Sequence, residues 1–223
     1  MEKLSKNECK QEEEEEEDSD SSMSVNKHKI VFVGDAGVGK TKIISRIIDN
    51  TFDEVYEPSI GVDFMQKKIN FRGEDVKLQM WDTSGQEKYK GLIPSYVKKA
   101  SIVFFVYDIS VKTTFDNIPK WITFIKTIEN TTFVLCGNKT DLSNREVKKE
   151  EGETLAQKEG IQFFEVSAKT DDNIKNMFYN VVADLPTFAE NNADKEVLIK
   201  ELMQENGIEN VGEEIQPNEL NQA

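Results

Sequence analysis

Short apolar runs alternate with amphipathic stretches along most of the chain. The runs are rich in β-branched and aromatic side chains, which is typical of strands buried on both faces of a parallel sheet. The stretches between them repeat apolar side chains at helical spacing. The predicted strands are Ile30–Val33, Val76–Trp81, Ile102–Tyr107, Phe133–Gly137 and Gln162–Val166, and the predicted helices are Lys40–Asp49, Thr113–Ile128, Lys148–Lys158 and Asn173–Leu185, the last stopped by Pro186.

One segment departs from this pattern. Residues 64–71 alternate polar and apolar side chains, and a turn-like segment at 72–75 joins them to the next strand, which indicates an antiparallel hairpin at a sheet edge. Strand–helix alternation with one such hairpin predicts a three-layer α/β fold: a mostly parallel six-stranded sheet with one antiparallel edge strand and helices on both faces. Ligands of such folds bind at the carboxyl ends of the strands.

Charge divides the chain into a neutral centre and two acidic ends. Residues 1–23 hold ten acidic residues against three lysines, and residues 190–223 hold nine against two, so the formal net charge of −14 belongs to the ends. Acidic, aromatic-poor ends repel nucleic acid, and we exclude nucleic-acid binding as a main function. We expect a disordered acidic arm over residues 1–26, one globular domain over 27–188, and an acidic, partly helical tail over 189–223.

The acidic arm has three possible roles. It could simply be solvated, bind a basic partner, or carry a phosphorylation switch at Ser19, Ser21 or Ser22.

The acidic start lacks the apolar segment of a signal peptide, and no apolar run approaches membrane-spanning length, so we expect a cytoplasmic protein. Two cysteines suit a reducing compartment, and we interpret Cys136, inside an apolar run, as a core residue.

A glycine-rich segment, GDAGVGKT, follows the first predicted strand and opens the first predicted helix. This is the G-x-x-x-x-G-K-[ST] pattern in the context that phosphate binding requires. Glycines let successive N–H groups surround a phosphate, the helix N-terminus adds its positive dipole, the lysine supplies an ammonium and the threonine can bind Mg²⁺. The predicted phosphate-binding residues are Gly34, Asp35, Ala36, Gly37, Val38, Gly39, Lys40 and Thr41.

Two further loops, NKTD at 138–141 and SAK at 167–169, also follow buried strands. The carboxylate of Asp141 can accept the two N–H donors on the N1/N2 edge of guanine, a pair that adenine lacks. Taken alone, the first loop could also be a local Asx-type turn. Backbone N–H groups of the second loop could meet the guanine O6, and the two loops together favour a guanine nucleotide. The predicted base-binding residues are Asn138, Lys139, Asp141, Ser167, Ala168 and Lys169.

The segment WDTSGQE ends the strand that follows the hairpin. A carboxylate at Asp82 would hold Mg²⁺ through water. Gly85 can bring its N–H to a terminal phosphate, and Gln86 is a neutral side chain able to orient water. An exposed surface glutamine would be the default interpretation elsewhere, but the neighbouring Asp82 and Gly85 favour a functional role.

In this order and spacing, GDAGVGKT, WDTSGQE, NKTD and SAK resemble the small GTPases of the Ras superfamily. The segments SIGVDF, GLIPSY, YDIS and KWI are similar to the Rab branch, and GLIPSY, GNKTDL and EEGE to its Golgi-traffic members. The resemblance covers residues 28–188. It implies a P-loop GTPase domain that binds GTP or GDP with Mg²⁺ and acts as a switch in intracellular vesicle traffic.

The resemblance also implies roles for single residues. Phe52 would stack on the guanine and Tyr56 would close over the phosphates, within a first switch segment at 53–61. Ser59 stands where the family normally has threonine and would bind Mg²⁺ through its hydroxyl. Serine keeps that hydroxyl but lacks the methyl group, so we expect a less firmly held switch. Ser84 replaces the usual alanine at the start of the second switch.

Partner binding is implied in the same way. Phe64, Trp81 and Tyr96 match the aromatic trio that Rab effectors contact, although aromatics at strand ends are equally often core residues. The family works with an exchange factor and a GTPase-activating protein.

Catalysis would depend on Lys40 for charge stabilisation and Gln86 for the attacking water. No arginine occurs between residues 52 and 61, so we expect slow intrinsic hydrolysis that an activating protein accelerates.

Membrane attachment is the main departure from the Rab pattern. No cysteine follows Cys136, so we expect no prenyl anchor, and the acidic tail disfavours anionic lipid. Val197, Leu198 and Leu202 indicate a short amphipathic helix with an acid-rich polar face, which favours a protein partner over lipid. Recruitment from the cytoplasm to Golgi or vesicle membranes would then need a partner.

The alternative function is a nucleotide-loaded binding module that recruits cytosolic partners with little or no GTPase cycling. A metabolic P-loop kinase is disfavoured because no lid or second substrate segment is evident.

Overall fold

Six strands form one sheet in the order β2-β3-β1-β4-β5-β6 in the computed structural model, which describes residues 26–54, 62–83, 85, 93–125, 130–189 and 195–205. All neighbouring strands are parallel except β2 and β3, which form the antiparallel hairpin at one edge. The predicted fold class is therefore confirmed. The strands are β1 Asn26–Val33, β2 Val62–Phe71, β3 Glu74–Thr83, β4 Ile102–Asp108, β5 Thr132–Asn138 and β6 Gln162–Val166.

Helices cover both faces of this sheet. The described helices are α1 Lys40–Asp49, α2 Ile93–Val97, α3 Lys112–Asp116, α4 Ile118–Ile125, α5 Lys149–Glu159, α6 Ile174–Val182, α7 Pro186–Ala189 and α8 Lys195–Glu205. Apolar side chains of α1, α6 and α8 fill one core, and those of α2, α4 and α5 fill the other. None of the described helices has the length and apolar character that crossing a membrane requires.

The central strand β4 shows why its sequence is apolar without alternation. All seven of its residues are buried. Because successive side chains of a strand point to opposite faces, Phe104 and Val106 enter the core beneath α1, whereas Phe105 and Tyr107 enter the core beneath α4. A strand covered on both sides therefore needs apolar residues at every position.

Two predicted helices differ from the observed ones. The stretch predicted as one helix from Thr113 is divided at Asn117 into α3 and α4. Pro119 explains the break, because proline has no N–H for an interior helical bond but is tolerated in the first turn. Pro186 likewise does not stop a helix at Leu185: α6 already ends at Val182, and Pro186 begins the short α7.

The C-terminal helix α8 lies against the domain. Leu198 and Leu202 are buried in the core that also contains α1 and α6, and Glu201 forms an ion pair with Arg72 at 2.9 Å. The predicted helix is present, with Leu198 and Leu202 on its buried side and Val197 exposed. The predicted use of its apolar face for a partner is wrong for these two leucines, because the chain's own domain covers them.

Replacing Leu202 with alanine is expected to lower the free energy of unfolding by about 2–4 kcal/mol, because a fully buried leucine leaves a cavity. Urea denaturation followed by circular dichroism measures this change. Val197 on the same helix is 47% exposed, so Val197→Ala is the matched control and should change stability by less than about 0.5 kcal/mol. Equal effects of the two variants would mean that α8 does not dock on the domain.

Candidate functional site

The predicted site residues that the structure describes meet at the carboxyl ends of the parallel strands. The glycine-rich loop follows β1 and leads into α1, whose N-cap is Gly39 with φ 96°. A β-carbon at Gly39 would also overlap the side-chain amide nitrogen of Asn138. Glycine is required there both by the left-handed backbone and by the close approach of a second loop.

Lys40 is buried in this loop. Its ammonium donates hydrogen bonds to the carbonyl oxygens of Gly34 at 3.0 Å and Asp35 at 2.9 Å. Burial lowers the pKa of Lys40 to about 8, against the opposing effect of the Asp82 and Asp35 carboxylates. A desolvated cation whose hydrogen bonds go to neutral carbonyls is well suited to bind an anionic phosphate.

Thr41 and Asp82 come together beside the lysine. The Thr41 hydroxyl donates to the Asp82 carboxylate at 2.5 Å, and Asp82 is fully buried at the end of β3. A hydroxyl and a carboxylate are hard oxygen ligands of the kind that Mg²⁺ prefers, so these residues fit the predicted metal. Ser59, the third predicted ligand, lies outside the described residues.

Gly85 touches the glycine-rich loop. A β-carbon at this position would overlap the carbonyl carbon of Asp35 and the backbone nitrogen of Ala36. Gly85 is therefore in close contact with the backbone of the predicted phosphate site. Four other residues with predicted roles lie outside the described residues: Tyr56 and Ser59 in the first switch, and Ser84 and Gln86 in the second.

The two predicted base-binding loops are joined to the phosphate loop by side-chain hydrogen bonds. Asn138 donates to the Val38 carbonyl at 2.9 Å and accepts from the Ala168 N–H at 3.2 Å. Asp141 accepts from the Ser167 hydroxyl at 2.6 Å. These bonds span 26 to 100 residues of sequence, so a local Asx-type turn does not account for the asparagine.

Lys139 connects the same loops through its long side chain. Its ammonium donates to the Gly37 carbonyl at 2.8 Å and pairs with Asp108 at 2.6 Å. Asp108 ends β4 and is buried, with its other oxygen accepting from both the N–H and the hydroxyl of Ser110. Asp108 had no predicted role; its position at a strand end, within YDIS, was the available signal.

Arg46 on α1 was also missed. Its guanidinium donates to the carbonyls of Ala168 at 2.8 Å, Lys169 at 2.9 Å and Asn50 at 2.9 Å, and lies 5.7 Å from the Phe52 ring. It therefore holds the SAK loop against α1 and beside the aromatic ring predicted to stack on guanine. No local pattern could reveal this, because Arg46 and Ala168 are 122 residues apart.

The predicted effector trio forms one aromatic cluster. The rings of Phe64 and Trp81 are 5.5 Å apart and those of Trp81 and Tyr96 are 6.3 Å apart, and Lys29 lies 4.0 Å over the Trp81 ring. Phe64 is 50% exposed. Core packing therefore does not explain Phe64, which presents half of its surface to solvent.

A family comparison agrees with this geometry. Residues 29–187 match the model of the Ras family, which covers well over half of the chain. Proteins of this family are in general GTPases that bind GTP or GDP with Mg²⁺ and work with effectors, exchange factors and activating proteins. With the phosphate loop, the Thr41–Asp82 pair and the NKTD and SAK loops at one edge of the sheet, the match leads to one conclusion: the chain belongs to the Ras family of small GTPases.

Proposed function

We propose that this protein is a Rab-like small GTPase that binds GTP and GDP with Mg²⁺, hydrolyses GTP slowly, and acts as a switch in intracellular vesicle traffic. The observation that supports guanine-nucleotide binding most strongly is the hydrogen-bonded network joining Asn138, Asp141 and Ser167 to the phosphate loop. This network supports the proposal because the Asp141 carboxylate and the Lys40 ammonium lie at the same edge of the sheet.

Each part of the nucleotide has a proposed contact. The guanine edge bonds to Asp141, the ring stacks on Phe52, and the phosphates bind the loop N–H groups and the Lys40 ammonium. Thr41, Asp82 and Ser59 are the residues that would hold Mg²⁺, which when bound offsets the negative charge of the phosphate oxygens.

Hydrolysis requires a water in line with the terminal phosphate and compensation of the charge that develops. In this proposal Gln86 orients that water. The water oxygen bonds to the γ-phosphorus as the bond from the γ-phosphorus to the bridging oxygen breaks, which yields GDP and inorganic phosphate, and the protons of the water pass to the phosphate and to solvent. Lys40 and the loop N–H groups stabilise the charge. Intrinsic turnover is slow because residues 53–60 contain no arginine, and an activating protein accelerates it.

The traffic role rests on the Rab-like segments and on the partly exposed aromatic cluster. Phe64, Trp81 and Tyr96, together with the two switch segments, form the proposed effector surface. The protein resides in the cytoplasm, and a protein partner recruits it to Golgi or vesicle membranes when GTP is bound. Its acidic ends disfavour direct attraction to anionic lipid.

Two measurements test this proposal. The purified chain should bind GDP at least about 100-fold more tightly than ADP in the presence of Mg²⁺, and should convert bound GTP to GDP in a single-turnover assay.

Fractionation of cells expressing the full chain should recover a larger fraction of the Gln86→Leu variant than of the wild type on membranes. Tight binding of GTP without turnover would favour the nucleotide-loaded binding module, and soluble behaviour of both forms would remove the traffic role.

A further inference from the structure

The carboxylate of Asp35, inside the phosphate loop, is held by two side chains from the other half of the domain. Asn117 donates from its amide to one oxygen at 2.7 Å, and Trp121 donates from its indole N–H to the other at 3.0 Å. Asn117 lies between α3 and α4 and Trp121 lies within α4, both more than 80 residues further along the chain. Hydrogen bonds to a charged acceptor are among the stronger ones in proteins.

The two donors are themselves fixed in place. Trp121 is 4% exposed and packs in the core beneath α4 with Ile118 and Ile122. Asn117 occupies the break between α3 and α4, and its amide oxygen accepts a hydrogen bond from the Lys120 ammonium at 2.9 Å. That bond orients the amide so that its nitrogen faces Asp35.

The backbone of Asp35 contacts both Lys40 and Gly85. Its backbone carbonyl accepts one of the two hydrogen bonds from Lys40, and its peptide link to Ala36 is the surface against which Gly85 lies. A shift of Asp35 would therefore displace both an acceptor of the Lys40 ammonium and the peptide bond that Gly85 contacts.

We propose that Asn117 and Trp121 are positioning residues that hold the phosphate loop in its binding conformation through Asp35, and thereby slow the release of bound nucleotide. A loop that is already ordered loses less conformational entropy when the phosphates bind, so nucleotide is held longer. The inference rests on the proposed nucleotide-binding function. We name the set of Asp35, Asn117 and Trp121 the loop clamp.

The test is the dissociation rate of a fluorescent GDP analogue, displaced by excess GDP in the presence of Mg²⁺. Trp121→Phe keeps an aromatic ring in the core and removes the N–H, and should accelerate release about tenfold. Asn117→Ala should have an effect of similar size, and Lys120→Met a smaller one. Thr123→Ala is the matched control on α4, because that hydroxyl donates only to the Pro119 carbonyl of its own helix, and it should leave the rate unchanged.

A double-mutant cycle separates the loop clamp from a general loss of stability. In an Asp35→Ala background, Trp121→Phe should produce no further acceleration. The same acceleration in both backgrounds, or release within twofold of wild type for both Trp121→Phe and Asn117→Ala, would overturn the inference. If Asp35→Ala does not fold, Asp35→Leu, which is close in size and likewise has no hydrogen-bond acceptor, replaces it in the cycle. A wild-type chain that fails to bind GDP would instead contradict the proposed function.

Discussion

Asp141→Asn is expected to weaken GDP binding by about 100-fold or more and to create a preference for xanthosine diphosphate. The carboxylate can accept both N–H donors of the guanine edge, whereas an amide presents one acceptor and one donor. Xanthine carries an oxygen where guanine carries its exocyclic amine, and an amide can donate to that oxygen. The substitution should therefore exchange one base preference for the other.

The structure indicates that this substitution preserves the fold of the base-binding loops. Asp141 also accepts a hydrogen bond from the Ser167 hydroxyl at 2.6 Å, and the carbonyl oxygen of an asparagine can keep that bond. The fold of the two base loops should survive, which circular dichroism can verify. Calorimetric titration with both diphosphates measures the exchange. Asp172→Asn, an exposed position near the SAK loop, is the control and should bind GDP as wild type does. Unchanged GDP affinity in Asp141→Asn would remove Asp141 from the base site.

Strands β1, β4 and β5 were predictable because burial on both faces leaves a continuous apolar run. The run at Gln162–Val166 was located to the residue, and the hairpin was recognised from its alternation. The break between α3 and α4 was not, because helical periodicity continues across Asn117 and outweighed the signal of Pro119. Periodicity also showed that α8 has an apolar side, but not which surface would cover it.

The candidate site likewise has a part that the sequence predicts and a part that it does not. Its glycine-rich loop and its two base loops carry local patterns that follow from backbone and ligand chemistry. The contacts that join these loops involve Arg46, Asp108 and the loop clamp, and they link residues that are about 30 to 120 apart in sequence. Contacts between side chains and residues so distant in sequence leave no local pattern, and of these residues only Asp108, at a strand end, carried a signal of its own. The roles of Tyr56, Ser59 and Gln86 stay predictions.

Gln86→Leu is expected to lower turnover stimulated by an activating protein by about 10²- to 10⁴-fold while leaving GTP affinity nearly unchanged. Leucine has a similar size but can neither accept nor donate a hydrogen bond, so it cannot orient water. Binding should survive because the base loops, Lys40 and the Thr41–Asp82 pair do not depend on this side chain. Single-turnover hydrolysis, with and without an activating protein that accelerates the wild type, measures the effect.

The neighbouring Gly85 gives this prediction its structural basis. Its backbone lies against Asp35 and Ala36, at the edge of the predicted phosphate site. The role proposed for Gln86 follows from its place next to Gly85 in the sequence. Gln157→Leu makes the same chemical change on the exposed side of α5 and should turn over as wild type does. Unchanged hydrolysis in Gln86→Leu would contradict the role of Gln86, whereas a parallel loss of GTP affinity would assign it to binding rather than to chemistry.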